Sequence, residues 1–116
     1  MFNLPLYVGL DYHTNTIQVC VMNQQRQILA NQSVENSVEA VFRVVAPFGS
    51  NVNVAIEACN GASDFADELA AKNPTWHVEL AHPGYVARMK QTPDKSDWIR
   101  RLFYQMTSSG ASGNPA

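Results

Sequence analysis

The sequence predicts one α/β domain on a mixed five-stranded sheet, with elements in the order β-β-β-α-β-α-β-α. Three observations carry this. The first third of the chain is strand-like, residues 16–22 alternating with period two, and its short polar turns favour hairpins. Near residue 37 the apolar spacing becomes helical. From there helices and strands alternate, which is the pattern of parallel strand pairs joined by crossovers.

Residues 6–11 read Leu-Tyr-Val-Gly-Leu-Asp, a short apolar run closed by one acid, as suits a buried strand with a carboxylate at its end. In 16–22, Ile17, Val19 and Val21 share one face and Gln18, Cys20 and Met22 the other, so this is a second strand. Asn23-Gln24-Gln25-Arg26 is a polar turn, and 27–34 returns as a third, antiparallel strand. Asn36 or Ser37 can cap the next helix, whose apolar positions are Val38, Val41, Phe42 and Val45 and whose stop is Pro47-Phe48-Gly49. Residues 52–56 alternate as a fourth strand and deliver Glu57 at its end. Ser63 is placed to cap an alanine-rich helix to about residue 72, which Asn73-Pro74 breaks. A fifth strand over 76–81, a short helical piece over 85–90 and a last helix over 96–106 complete a domain of residues 1–106. The tail, 107–116, is Ser, Gly, Asn, Pro and Ala without periodicity and reads as disordered.

The composition narrows the classes. At 116 residues and 46% hydrophobic, the chain has room for one core and cannot be wholly disordered. No apolar run approaches the roughly 20 residues of a membrane span, and the first eight residues lack the basic and apolar regions of a signal peptide. Cys20 and Cys59 are too few for a disulfide framework or zinc site and read as two reduced, buried thiols in a cytoplasmic protein. Charge is segregated. Residues 1–87 carry three basic against eight acidic side chains, a balance of −5, and 88–116 carry five against two, a balance of +3. An acidic body with a basic end fits metal-binding carboxylates beside a phosphate-contacting strip of Arg88, Lys90, Lys95 and Arg101, as well as an ordinary solvated surface.

Asp11, Glu57 and Asp97 interrupt apolar or structured surroundings. Each alone reads as a turn or cap residue. Together, on this element order, they point to one crevice, because ligands bind at the carboxyl ends of strands in open α/β sheets. If the first and fourth strands are parallel neighbours, Asp11 and Glu57 meet there. Carboxylates gathered this way repel, and a hard divalent cation, Mg2+ or Mn2+, relieves the repulsion. Such ions activate oxygens in phosphodiester chemistry.

The element order with its acids is similar to the ribonuclease H-like fold, and four local blocks resemble the DEDD-type insertion-sequence transposases, a RuvC-like family that includes the pilin-gene invertases. The blocks are Val8-Gly9-Leu10-Asp11-Tyr12-His13, Ala55-Ile56-Glu57-Ala58-Cys59-Asn60-Gly61, Ala81-His82-Pro83 with Val86 and Lys90, and Lys95-Ser96-Asp97. The resemblance spans about residues 6–105. It implies a magnesium-dependent catalytic centre of Asp11, Glu57 and Asp97, with DNA and a guide RNA as partners of the full-length protein. Two departures accompany it. Where the family has a fourth acid three residues after the third, this chain has Arg100, which shares a helix face with Asp97 and cannot coordinate a cation; Asp94 is the nearest substitute. The family's carboxyl-terminal serine domain has no counterpart here, so the fragment is expected to be inactive in transposition by itself.

Two other readings stand beside it. One is a non-catalytic nucleic-acid-binding or dimerisation module of the same fold. Trp98 with Leu102, and Ile99 with Phe103, form an amphipathic face on the last helix suited to core packing or self-association. The other takes Gly9-Leu10-Asp11-Tyr12-His13-Thr14-Asn15 as similar to the first phosphate loop of actin-like ATPases and sugar kinases. Gly61 and Gly84 stand alone, however, where that reading expects further glycine-rich loops. His13 is an exposed loop residue near the first acid, and His77 a structural strand residue.

Overall fold

The computed structural model describes residues 4–81. The predicted elements at 85–90 and 96–106, the tail, Asp97, Arg100 and the strip of Arg88, Lys90, Lys95 and Arg101 lie outside the described residues. Within them the order is β1 (Leu6–Tyr12), β2 (Thr16–Met22), β3 (Ile28–Glu35), α1 (Val38–Val45), β4 (Val52–Glu57), α2 (Ala62–Lys72) and β5 (His77–Ala81). The strands form one sheet in the order β3-β2-β1-β4-β5. β1 pairs antiparallel with β2 and β2 with β3, whereas β1–β4 and β4–β5 are parallel. An α/β fold on a five-stranded mixed sheet is therefore present.

Alternation decides which face each strand buries. Leu6, Val8 and Leu10 of β1, Ile17, Val19 and Val21 of β2, and Val52, Val54 and Ile56 of β4 point to one side. There they join Val38, Val41, Val44 and Val45 of α1 and Phe65, Ala66 and Leu69 of α2 in a single core. Both described helices thus cover the same face. No described helix is long and apolar enough to cross a membrane.

Local chemistry sets the boundaries. The β2–β3 turn closes on Asn23, whose Oδ1 accepts from the backbone N–H groups of Gln25 and Gln27, both at 2.9 Å, while Arg26 takes a left-handed φ of 66°. Ser37 caps α1, its Oγ accepting from the Ala40 N–H at 3.0 Å. A 3-10 turn at Ala46–Phe48, with Pro47 inside it, stops that helix. α2 ends on buried Asn73, whose backbone and side-chain nitrogens both donate to the Leu69 carbonyl.

Several sequence expectations shift. Helix α2 begins at Ala62 with Gly61 as its cap, so Ser63 is inside the first turn. β3 runs one residue later at each end than predicted, and β5 starts after Trp76. Phe42 is 44% exposed: it sits at the flank of the α1 stripe and stacks on Trp76, ring centroids 6.0 Å apart. Cys20 is buried and Cys59 is exposed, because the latter lies in the loop after β4, beyond the packed strand. His77 points outward, its Nε2 3.3 Å from Glu79.

Candidate functional site

The register of β1 against β4 runs from Leu6 opposite Val52 to Leu10 opposite Ile56. One step further along both chains stand Asp11 and Glu57, the latter ending its strand. Neighbouring strands lie about 4.8 Å apart, so the two backbones present these acids side by side. Both belong to the alternation set opposite the helices. Asp11 shares it with Tyr7 and Gly9, and Glu57 with Asn53 and Ala55. The row through the acids continues on one side to Gln18 and Ser33 and on the other to Ala81. The row before it is Asn31, Cys20, Gly9, Ala55 and Glu79, small at its centre, so the acids stand over a low floor.

Apolar β1 places its charge where the strand leaves the core. The Asp11 side chain is 18% exposed, and its Oδ1 lies 3.2 Å from His13 Nε2, whose own side chain is 60% exposed. His13 belongs to a tight loop closed by its N–H donating to the Thr16 carbonyl at 3.0 Å. Asn36 clamps that loop from the start of α1. Its Nδ2 donates to the carbonyls of His13 at 2.7 Å and Thr14 at 3.2 Å, and its N–H to that of Asn15 at 3.1 Å. Sequence reasoning had Asn36 only as a rival cap to Ser37. The usable signal was an amide side chain just before an already adequate cap.

Packing also holds this end of β1. Tyr12 turns to the core face, meets Phe65 edge to face at 5.4 Å, and brings its hydroxyl over Gly61. Gly61 has φ of 90°, and a Cβ there would lie 3.1 Å from the Tyr12 hydroxyl oxygen. This locks the carboxyl end of β1 to the amino end of α2, with Glu57 in the chain between. Ala58 continues the link to β5, its N–H donating to the Ala81 carbonyl at 3.1 Å.

Two hard carboxylates at adjacent strand ends are donors of the kind a divalent cation of the magnesium type would take, with water and phosphate oxygens completing its shell. Among the described residues there is no group of three or more His, Cys, Asp or Glu that could hold a metal ion. Two surface hollows of about 360 and 250 Å3 lie elsewhere, one between β3 and α1 and one at the amino end of β1. Neither includes Asp11 or Glu57.

No protein-family model and no curated protein matches the chain. Solved structures do. A Bacteroides thetaiotaomicron protein with an actin-like ATPase fold and unknown function matches 68% of this chain and 34% of its own, at 12% identity and TM-score 0.48. The Lmo2764 protein of Listeria monocytogenes, a candidate N-acetylmannosamine kinase, matches 74% of this chain and 38% of its own, at 16% identity and TM-score 0.49. Pelota of Archaeoglobus fulgidus matches 96% and 41%, at 14% identity and TM-score 0.45. The chain spans well under half the length of each, and these likenesses decide nothing about its activity.

Proposed function

We propose that the chain is a ribonuclease H-like, RuvC-like domain of a DEDD-type insertion-sequence transposase, serving magnesium-dependent, site-specific DNA recombination. One observation carries the reading. Asp11 and Glu57 follow the last paired residues of two parallel neighbours, on one face, in a sheet ordered β3-β2-β1-β4-β5 with β2 reversed. That supports the convergence the motifs imply, since acids 46 positions apart gather at one rim.

In this reading Asp11 and Glu57 hold Mg2+ or Mn2+, and Asp97 completes the protein's share of the shell. When bound, the ion supplies electrophilic activation of phosphodiester oxygens. The chain's own residues orient it: Asn36 fixes the loop that sets His13 against Asp11, and the Tyr12–Gly61 contact holds the strand end. Arg88, Lys90, Lys95 and Arg101 neutralise nucleic-acid phosphates in a cytoplasmic protein whose full-length form works with DNA and a guide RNA. Because Arg100 stands where the family has its fourth acid, the isolated chain binds the cation weakly and does not cut DNA.

The test is a Mn2+ and Mg2+ titration followed by thermal melting. Saturable stabilisation at millimolar metal is expected, and it should vanish in Asp11→Asn and in Glu57→Gln. Equal responses of wild type and both variants would remove the metal centre from the reading. Arg100 also favours a second reading, a non-catalytic nucleic-acid-binding module. Salt-sensitive DNA or RNA affinity without any metal response would select it.

A further inference from the structure

β3 ends the sheet. It pairs with β2, and among the described residues no strand lies beyond it. Terminal strands are commonly guarded against further pairing by proline, lysine, shortness or inward charge. β3 has none of these guards: it is eight residues long, the longest of the five strands, and its one charge is Glu35 at the last position. The irregularity in its pairing lies at its start, opposite Val21 and Met22, which leaves residues 30–35 in unbroken register. Asn31, Gln32 and Ser33 are exposed.

The chemistry of that edge selects a second copy of this chain. Ala30, Gln32 and Val34 face the helices, and Asn31 and Ser33 face the other way. A twofold axis normal to the sheet requires residues of the same face to oppose one another. An axis through Gln32 sets Ala30 against Val34 and Asn31 against Ser33, each twice. It uses residues 30–34 of the regular segment and opposes no like charges. Charge favours the antiparallel sense as well. The strand runs from Arg26, just before it, to Glu35 at its end, so reversal brings each Glu35 toward the Arg26 end of the other copy. Residues 27–34 are uncharged in a body of balance −5 over 1–87, and two copies meet there with least repulsion. Beside the strand, a hollow of about 360 Å3 is lined by Val34, Ala40 and Val44 together with Gln32, Glu35 and Arg43, a mixed surface next to the helix-side residues of the edge.

We infer that β3 is a self-association edge: two copies pair antiparallel through residues 30–34 about an axis at Gln32, joining their sheets into one. The interface is small, so the dimer is weak and governed by concentration.

Sedimentation of the chain over concentrations up to about 1 mM tests this directly. A reversible monomer–dimer equilibrium is expected, and Gln32→Lys, which opposes two cations at the axis, should abolish it. In a Cys59→Ser background, Gln32→Cys should form a disulfide-linked dimer at least tenfold faster than Gln25→Cys in the neighbouring turn. Directly opposed strand residues lie about 4.5–5.5 Å apart, within disulfide reach. Gln32 is exposed, and an unchanged near-ultraviolet spectrum checks that each variant folds. A chain monomeric throughout overturns the inference. So does a dimer indifferent to Gln32→Lys, or one that cross-links no faster at Gln32 than at Gln25.

Discussion

β1 and β3 belong to the same meander and differ in almost everything else. β1 lies between β2 and β4, with Leu6, Val8 and Leu10 buried on one face and Gly9 buried on the other. Among the described residues β3 has one neighbouring strand, and its middle residues are polar and exposed. A strand flanked on both sides can carry a charge only where it runs out of the core, because an unpaired buried carboxylate costs several kcal/mol. Asp11 sits at that point. A strand with one open edge is free to be polar throughout, and its functional content lies in unpaired backbone. The centre of the sheet therefore fixes where its side chains stand, which is what the proposed site uses, and its margin presents the backbone groups that the proposed association uses.

The difference can be broken or sharpened by measurement. Ile56→Ala, at a fully buried position of β4, should cost about 2–5 kcal/mol in denaturant unfolding, through lost burial and the cavity left behind. Gln32→Ala on β3, measured in dilute solution, should stay within about 0.5 kcal/mol. Comparable losses at the two positions would erase the contrast.

The lock at the end of β1 comes next in size. Gly61→Ala forces a side chain into a φ of 90° and against the Tyr12 hydroxyl, so a loss of about 1–2 kcal/mol is expected. A neutral result would mean that the end of β1 is held by strand pairing alone.

The smallest effect belongs to the helix surface. Lys72 donates to Glu39 at 2.9 Å and holds that carboxyl below its ordinary 4.5, while Glu39 and then Glu68 hold the lysine above its ordinary 10.5. A depressed carboxyl stabilises the fold above its unfolded value and loses that contribution as pH falls through the folded one. A raised lysine stabilises below its unfolded value and loses it as pH rises through the folded one. Both side chains are more than half exposed and screened by water and salt. Lys72→Met should therefore leave the melting temperature at neutral pH unchanged within error and only slightly flatten the acid limb. A clear drop at neutral pH would show the α1–α2 contact to be structural.

The hairpins, both helices and the two strands ending in acids were legible from the sequence, because each rests on residues a few positions apart. Alternation in 16–22 and the Ser37 cap are local in this sense. The helical spacing of Phe42 was legible, but its stacking on Trp76, 34 positions away, was not. Cys59 was misread because composition does not distinguish a strand's last buried residue from the loop beyond it. The clamp by Asn36 was missed since its acceptors, at His13 and Thr14, are brought near only by the β1–β2 hairpin.

What the sequence determined by itself is which residues share a face and where each strand meets water, since periodicity and solvation act over one or two turns of chain. Only the tertiary structure decided that β1 and β4 are neighbours, that Asp11 and Glu57 therefore end adjacent strands, and that β3 is the outermost strand among the described residues. Strand order is a choice among distant partners of similar local character, and it is settled by how the crossovers through α1 and α2 bury one common core.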